Sequence, residues 1–152
     1  MTEIQRIVDQ LKRAFEGTAW HGPSVKEVLA GVNASTAAAR PLTGSHSIWE
    51  LVHHVAAWEE IVRRRIEGEL LVDISDEQDW PPVTDTSEAA WSEALAALER
   101  GHMQLRDVIS RMDDSRLEEP VPGKGHSFYI LLHGVVQHDL YHAGQISLLK
   151  KA

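Results

Sequence analysis

His138 and His142 stand four residues apart in the run His138-Asp139-Leu140-Tyr141-His142. On a helix that spacing points both imidazoles the same way. The pair His53-His54 lies far upstream, and one imidazole from it would complete a three-histidine site for a divalent cation. The chain has no cysteine, so any metal site must be built from His, Asp and Glu. Three neutral imidazoles suit Zn, Ni, Fe or Co and leave a coordination position open to water or substrate. Nine histidines in 152 residues make an i,i+4 pair common by chance, so the spacing needs support from the elements that carry it.

Those elements read as helices almost throughout. Ile4, Ile7, Val8, Leu11 and Phe15 recur at three- and four-residue steps, one apolar stripe of a helix that ends near Gly17. Trp20 to Ser24 read as a turn, and Ser24 with Glu27 forms a capping box for a short helix from Val25 to Ala30. Residues 31–45 are connection, with a helical middle from Ser35 to Arg40. Ser47 and Glu50 repeat the capping box and open a long helix to about Glu67, ended by Gly68. Residues 69–86 are acidic, carry Pro81-Pro82 and read as a long crossover loop. Asp85 and Glu88 open a third long helix to about Met112. Asp113 to Gly125 is a turn region, and the last helix runs from about Ser127 to Leu149. No strand pattern competes. The fold class is all-α: one domain over residues 1–152, an up-and-down four-helix bundle with a long crossover loop.

Helix phase, at about 100° per residue, tests the histidines. In the second long helix, Ile48, Leu51, Val52, Val55, Val62 and Ile66 set the core direction. His54 lies roughly 100° from its centre and His53 about 160°, which selects His54 as inward or on the bundle edge and His53 as outward. In the last helix, His138 and His142 fall within the stripe of Phe128, Leu131, Val135, Ile146 and Leu149, with Asp139 close to it and His133 well outside. Buried polar groups need partners. Either a cation or hydrogen bonds within the core would serve. His102 shares the inward stripe of Trp91, Leu98, Leu105 and Ile109. It is a candidate fourth ligand or a hydrogen-bonded core histidine.

Composition bounds the function. A net charge of -8 argues against a nucleic-acid surface, which needs a basic stripe. Arg63, Arg64 and Arg65 are consecutive and read as a solvated helix face. No signal peptide or membrane span is visible, so the expected setting is cytoplasmic.

Three stretches carry a family resemblance. They are Ala19 to Ser24, then Ser47 to His54 with Trp58-Glu59, and Gln137-His138-Asp139-Leu140-Tyr141-His142-Ala143-Gly144-Gln145-Ile146. In this order they resemble the DinB-like superfamily, which includes YfiT-like metal-dependent enzymes. The resemblance implies an up-and-down four-helix bundle in which one histidine of the second helix and two of the last bind a divalent metal. Carried onto this chain, the ligands are His54, His138 and His142, with His54 placed seven residues after the helix-opening Ser47. It also implies a homodimer, and its better-understood members are transferases and isomerases that use low-molecular-weight thiols such as bacillithiol or mycothiol.

Three functions follow as expectations. A thiol S-transferase or isomerase would bind a thiol at the open position and stabilise the thiolate. A metal-dependent hydrolase would use Asp139 as base, in an echo of the His-Glu-x-x-His pattern. Asp139 is one methylene shorter than that glutamate and suits equally an orienting role behind an imidazole, or a helix cap. A non-catalytic metal or ligand-binding module is the third. Gln145, one turn from His142, is expected at the site mouth. Trp20, Trp58 and Trp91 read as core or crevice packing, and Trp80 as a loop anchor or a lid folded over the bundle.

An internal echo joins His46–Val55 to His126–Val135, identical at five of ten positions. In that register His53 matches His133, and both point outward, as do Trp49 and Tyr129. Tyr129, Leu132, Val136 and Leu140 make the last helix apolar beyond its core stripe. That second face must be buried under a partner copy or under the chain's own crossover.

Overall fold

Hydroxyl side chains set where most of the helices begin. In a computed structural model describing residues 1–152, Thr2, Ser24, Ser47 and Ser75 each accept from the backbone N–H three residues on, where a Gln or Glu reaches back to the cap's own N–H. Such boxes satisfy N–H groups that a helix start leaves unpaired. They open α1 (Glu3–Glu16), α2 (Val25–Leu29), α4 (Ile48–Ile66) and α5 (Asp76–Asp79). Asn33 caps α3 (Ala34–Ala38), Ser87 caps α6 (Glu88–Ser110), and Ser127 caps α7 (Phe128–Leu149). A 3-10 turn, Asp114–Glu118, joins α6 to α7. The architecture is all-helical, as the patterning predicts, and none of its helices is long and apolar enough to cross a membrane.

Two boundaries differ from expectation. The cap of α6 is Ser87, not Asp85, because the Asp85 carboxylate accepts from the Ser87 N–H at 2.9 Å and so shapes the turn before the helix. The crossover is not all loop: Ser75 and Gln78 form their own capping box and wind α5.

The long helices pack on one another in four pairs: α4 on α6 and on α7, and α1 on α6 and on α7. Their apolar side chains form two clusters. One contains Val55 of α4, Leu98 of α6 and Ala143 of α7. The other contains Val62 of α4, Leu105 of α6 and Val135 of α7. Between them in each helix, at three- or four-residue steps, stands a buried polar residue: Glu59, His102 and Asp139. One polar layer therefore divides the core.

Trp49 is buried, not outward as single-helix phase has it, because Trp91 packs on it at 5.1 Å between ring centroids. Leu132 is likewise buried, in the cluster that α1 helps to build. The chain itself thus covers part of the second face of α7, and α1 does this rather than the crossover. Tyr129, Ile130, Tyr141 and Leu148 stay exposed. Trp20 is fully exposed, against the expectation of packing, because the Gly17–Gly22 turn carries it into solvent. Trp91 is a core residue whose Nε1 donates to the Val32 carbonyl at 2.8 Å.

The start of the crossover is fastened to α4 and to the turn before α7. Arg65 donates to the Leu71 carbonyl, and Lys124 Nζ donates to the Val72 carbonyl at 2.6 Å. Gly123, at φ +73°, makes the close approach possible: a Cβ there would overlap Val72 Cγ2 and lie 2.9 Å from Leu70 Cδ1.

Candidate metal centre

His54 comes from α4, and His138 and His142 from one face of α7. His138 Nε2 lies 3.0 Å from His54 Nε2 and 3.1 Å from His142 Nε2. The opposite ring nitrogens fix the tautomers. His54 Nδ1 donates to the Asp79 carbonyl and His142 Nδ1 to Gln145 Oε1, each at 2.6 Å. Since both acceptors are oxygens, both Nδ1 atoms carry the proton, and both Nε2 atoms turn a lone pair inward. A proton on His138 Nε2 can bridge to one neighbour, but it leaves buried His138 Nδ1 as a bare acceptor without a partner. A cation at the convergence would satisfy all three Nε2 lone pairs together, with His138 Nδ1 unpartnered in either state, and the three residues form a group that could hold a metal ion.

Burial favours the neutral form that binds metal. It pushes His138 down to about 3, helped by the two neighbouring imidazoles. Burial likewise lowers His54 and His142, against the raising effects of Asp79 on the first and of Gln145 on the second.

His53 does not join the group. Its Nε2 accepts from Trp49 Nε1 at 3.1 Å, and its Nδ1 donates to the Pro81 carbonyl at 3.2 Å. It is half-buried under the crossover and not free at the surface. His133 is half-buried beside Tyr129.

The crossover takes the second of the two arrangements offered for Trp80, a lid over the bundle, and adds Asp79, which helix phase does not reach. Trp80 stacks on His54 at 3.8 Å between centroids, and His46 stacks on Trp80 at 3.5 Å. Asp79 places Oδ1 2.7 Å from Trp58 Nε1 and 3.2 Å from His54 Nδ1. Trp80 therefore folds back over the bundle and covers one face of the centre.

A cavity of about 760 Å³ opens on the three histidines, within the size range of small-molecule sites. Its wall includes Trp58, Val62, Arg65, Val135 and Tyr141. Trp58 is thus a crevice residue. Gln145 bonds to His142 from behind and lies outside this wall, beside His46 in a smaller cleft.

Asp139 and His102 belong to the polar layer. With Glu59 they form a second, fully enclosed group whose donor atoms lie close enough to hold a cation. His102 stacks on Phe15, and its Nδ1 lies 2.8 Å from Glu59 Oε1. Burial pushes His102 down to about 3, so the ring is neutral and Nδ1–H donates to Glu59. Burial pushes Glu59 up to about 8 and raises Asp139 well above the usual carboxylate range, with the neighbouring Glu59 adding to it. Two enclosed carboxyls this close disfavour a second negative charge, and Glu59 Oε2 and both Asp139 oxygens find no hydrogen-bond partner in the chain. Glu59 was not singled out by phase. The signal was its place on the stripe of Val52, Val55, Val62 and Ile66, where a carboxylate has no business without a partner.

Residues 18–146 match a family model described as the DinB superfamily. No curated protein and no solved structure matches the chain.

Proposed function

Since the chain belongs to the DinB superfamily, we propose that it is a divalent-metal protein held by His54, His138 and His142, with a coordination position open to the cavity. We propose further that it is a metal-dependent enzyme of the thiol S-transferase or isomerase type. The observation that carries the metal reading is the convergence of three Nε2 atoms whose partner nitrogens are already committed to Asp79 and Gln145. A divalent ion there would act as a Lewis acid and favour the thiolate over the thiol. The chain's own residues bind and exclude. Trp80 shields one face of His54 from water, while Trp58 and the apolar wall receive the body of a small molecule.

The hydrolase reading needs a base on the cavity wall. Asp139 is enclosed with Glu59 and His102 and is absent from that wall, which favours thiol chemistry over water activation by that residue. Nor does Asp139 orient an imidazole of the centre: neither of its oxygens meets a hydrogen-bond donor, and the Nδ1 atoms of His54 and His142 go to Asp79 and Gln145. A non-catalytic binding module shares the same centre and differs only in turnover.

In this reading the four long helices form the family's up-and-down bundle with its long crossover, in a cytoplasmic protein. The exposed apolar residues of α7, Tyr129, Ile130, Tyr141 and Leu148, form the face on which two copies pack.

Cobalt substitution tests the reading. Bacillithiol or mycothiol should add a sulfur-to-cobalt band to the spectrum of the loaded protein, followed by turnover with an electrophile. A cobalt spectrum indifferent to every thiol would remove the transferase reading and leave a binding module.

A further inference from the structure

The three consecutive arginines of α4 do not share one role. Arg63 pairs with Glu60 and Glu67, and Arg64 with Glu69, as a solvated face should. Arg65 is 2% exposed, which overturns the surface reading for this residue, and no carboxylate pairs with it. Its Nε and Nη2 donate to the Leu71 carbonyl at 3.1 and 2.9 Å. Its Nη1 donates to no group of the chain. The partners of this largely enclosed cation are one neutral carbonyl and the Trp58 ring, and its Nη1 is left open to the cavity, where a matched anion would be received.

Arg65 also lines the cavity that opens on the three histidines. Its guanidinium carbon lies 5.7 Å from the Trp58 ring centroid, and that centroid lies 6.1 Å from the His138 ring. One indole therefore separates the cation from the imidazoles. Val62, Leu131 and Val135 supply apolar wall in the same cavity. Lys124 is the other cation of the wall; it uses one of its three donors on the Val72 carbonyl and is more exposed than Arg65, so an anion there is better screened by water. Asp79 is taken up by Trp58 and His54, and Asp73 is solvent-exposed.

We propose that Arg65 recognises a carboxylate on the far end of the small molecule whose other end reaches the three histidines. The substrate is then an amphipathic acid: a metal-binding head, an apolar middle and an anionic tail. The inference rests on the metal reading for the head and on Arg65 alone for the tail.

Two probes that differ only at the tail separate these. Cobalt-loaded protein is titrated with 6-mercaptohexanoate and with 6-mercaptohexanol, read by the sulfur-to-cobalt band. The acid should bind about tenfold tighter, the worth of one charge-assisted hydrogen bond. Arg65→Met should bring that ratio close to one. Arg65→Gln, which keeps a donor for the Leu71 carbonyl, carries the same comparison if the methionine variant does not fold. Equal affinities in the unaltered protein, or the full preference in both variants, would overturn the proposal. If the protein takes up no cobalt, the metal reading fails by itself. The tail is then read with hexanoate on metal-free protein. A shift of the Trp58 indole N–H resonance that Arg65→Gln abolishes supports Arg65, and no shift overturns it.

Discussion

Trp80 lies flat on the imidazole of His54, with ring centroids 3.8 Å apart and planes within 7° of parallel. The contact joins a residue of the crossover to a residue of α4 and fixes the plane of one candidate ligand. The neighbouring Asp79 carbonyl fixes the same ring's tautomer. Orientation of this kind is worth about 10–100-fold in metal affinity where it has been removed behind other histidine ligands. Trp80→Ala should therefore weaken metal binding by about tenfold, measured by competition with a chromogenic chelator, while the helical circular-dichroism signal is unchanged.

Gln145 plays the same part for His142. Its Oε1 accepts from Nδ1 at 2.6 Å, and Leu at that position removes the acceptor at similar volume. Gln145→Leu should lower metal affinity by about 10–100-fold, and Gln145→Glu, which keeps an acceptor, should lose far less. Equal losses in the two variants would mean that packing, not the hydrogen bond, is what matters there.

The polar layer makes stability depend on pH in both directions. Glu59 has its folded pKa raised from 4.5 to about 8. Its contribution is present below pH 4.5, and is lost as the unfolded chain gives up a proton that the folded chain keeps until about pH 8. His102 has its pKa lowered from 6.5 to about 3. Its contribution is present above pH 6.5 and is lost as pH falls toward 3. Glu59→Gln keeps an acceptor for His102 but cannot ionise. Urea unfolding of metal-free protein should show a shallower decline toward alkaline pH in the variant, with the acid side preserved. An unaltered alkaline slope would contradict a raised pKa at Glu59.

Helix periodicity locates the four long helices and separates His54 from His53, because a side chain on a packed face falls near the apolar stripe. It failed where one helix meets more than one neighbour. Trp49 and Leu132 sit off the stripes used, yet Trp91 buries the first and the cluster shared with α1 buries the second. It also could not place Asp79 and Trp80, whose contacts depend on the path of the crossover and not on any repeat. Arg65 was hidden by its company. Arg63 and Arg64 are partly exposed and paired with glutamates, and only the steps Trp58, Val62, Arg65 mark the third arginine as facing the cavity. The family motifs carry the candidate ligand set and Gln145 behind His142, while the groups that orient His54 lie in the loop between α4 and α6.

The central claim is that His54, and not its neighbour His53, joins His138 and His142 around one divalent ion. Metal content should be measured on protein without a histidine tag, reconstituted and freed of excess ion, for the parent and for His54→Ala and His53→Ala. About one ion per chain is expected in the parent and in His53→Ala, and none in His54→Ala. Metal retained in His54→Ala but lost in His53→Ala, or a parent that binds no metal at all, would contradict it.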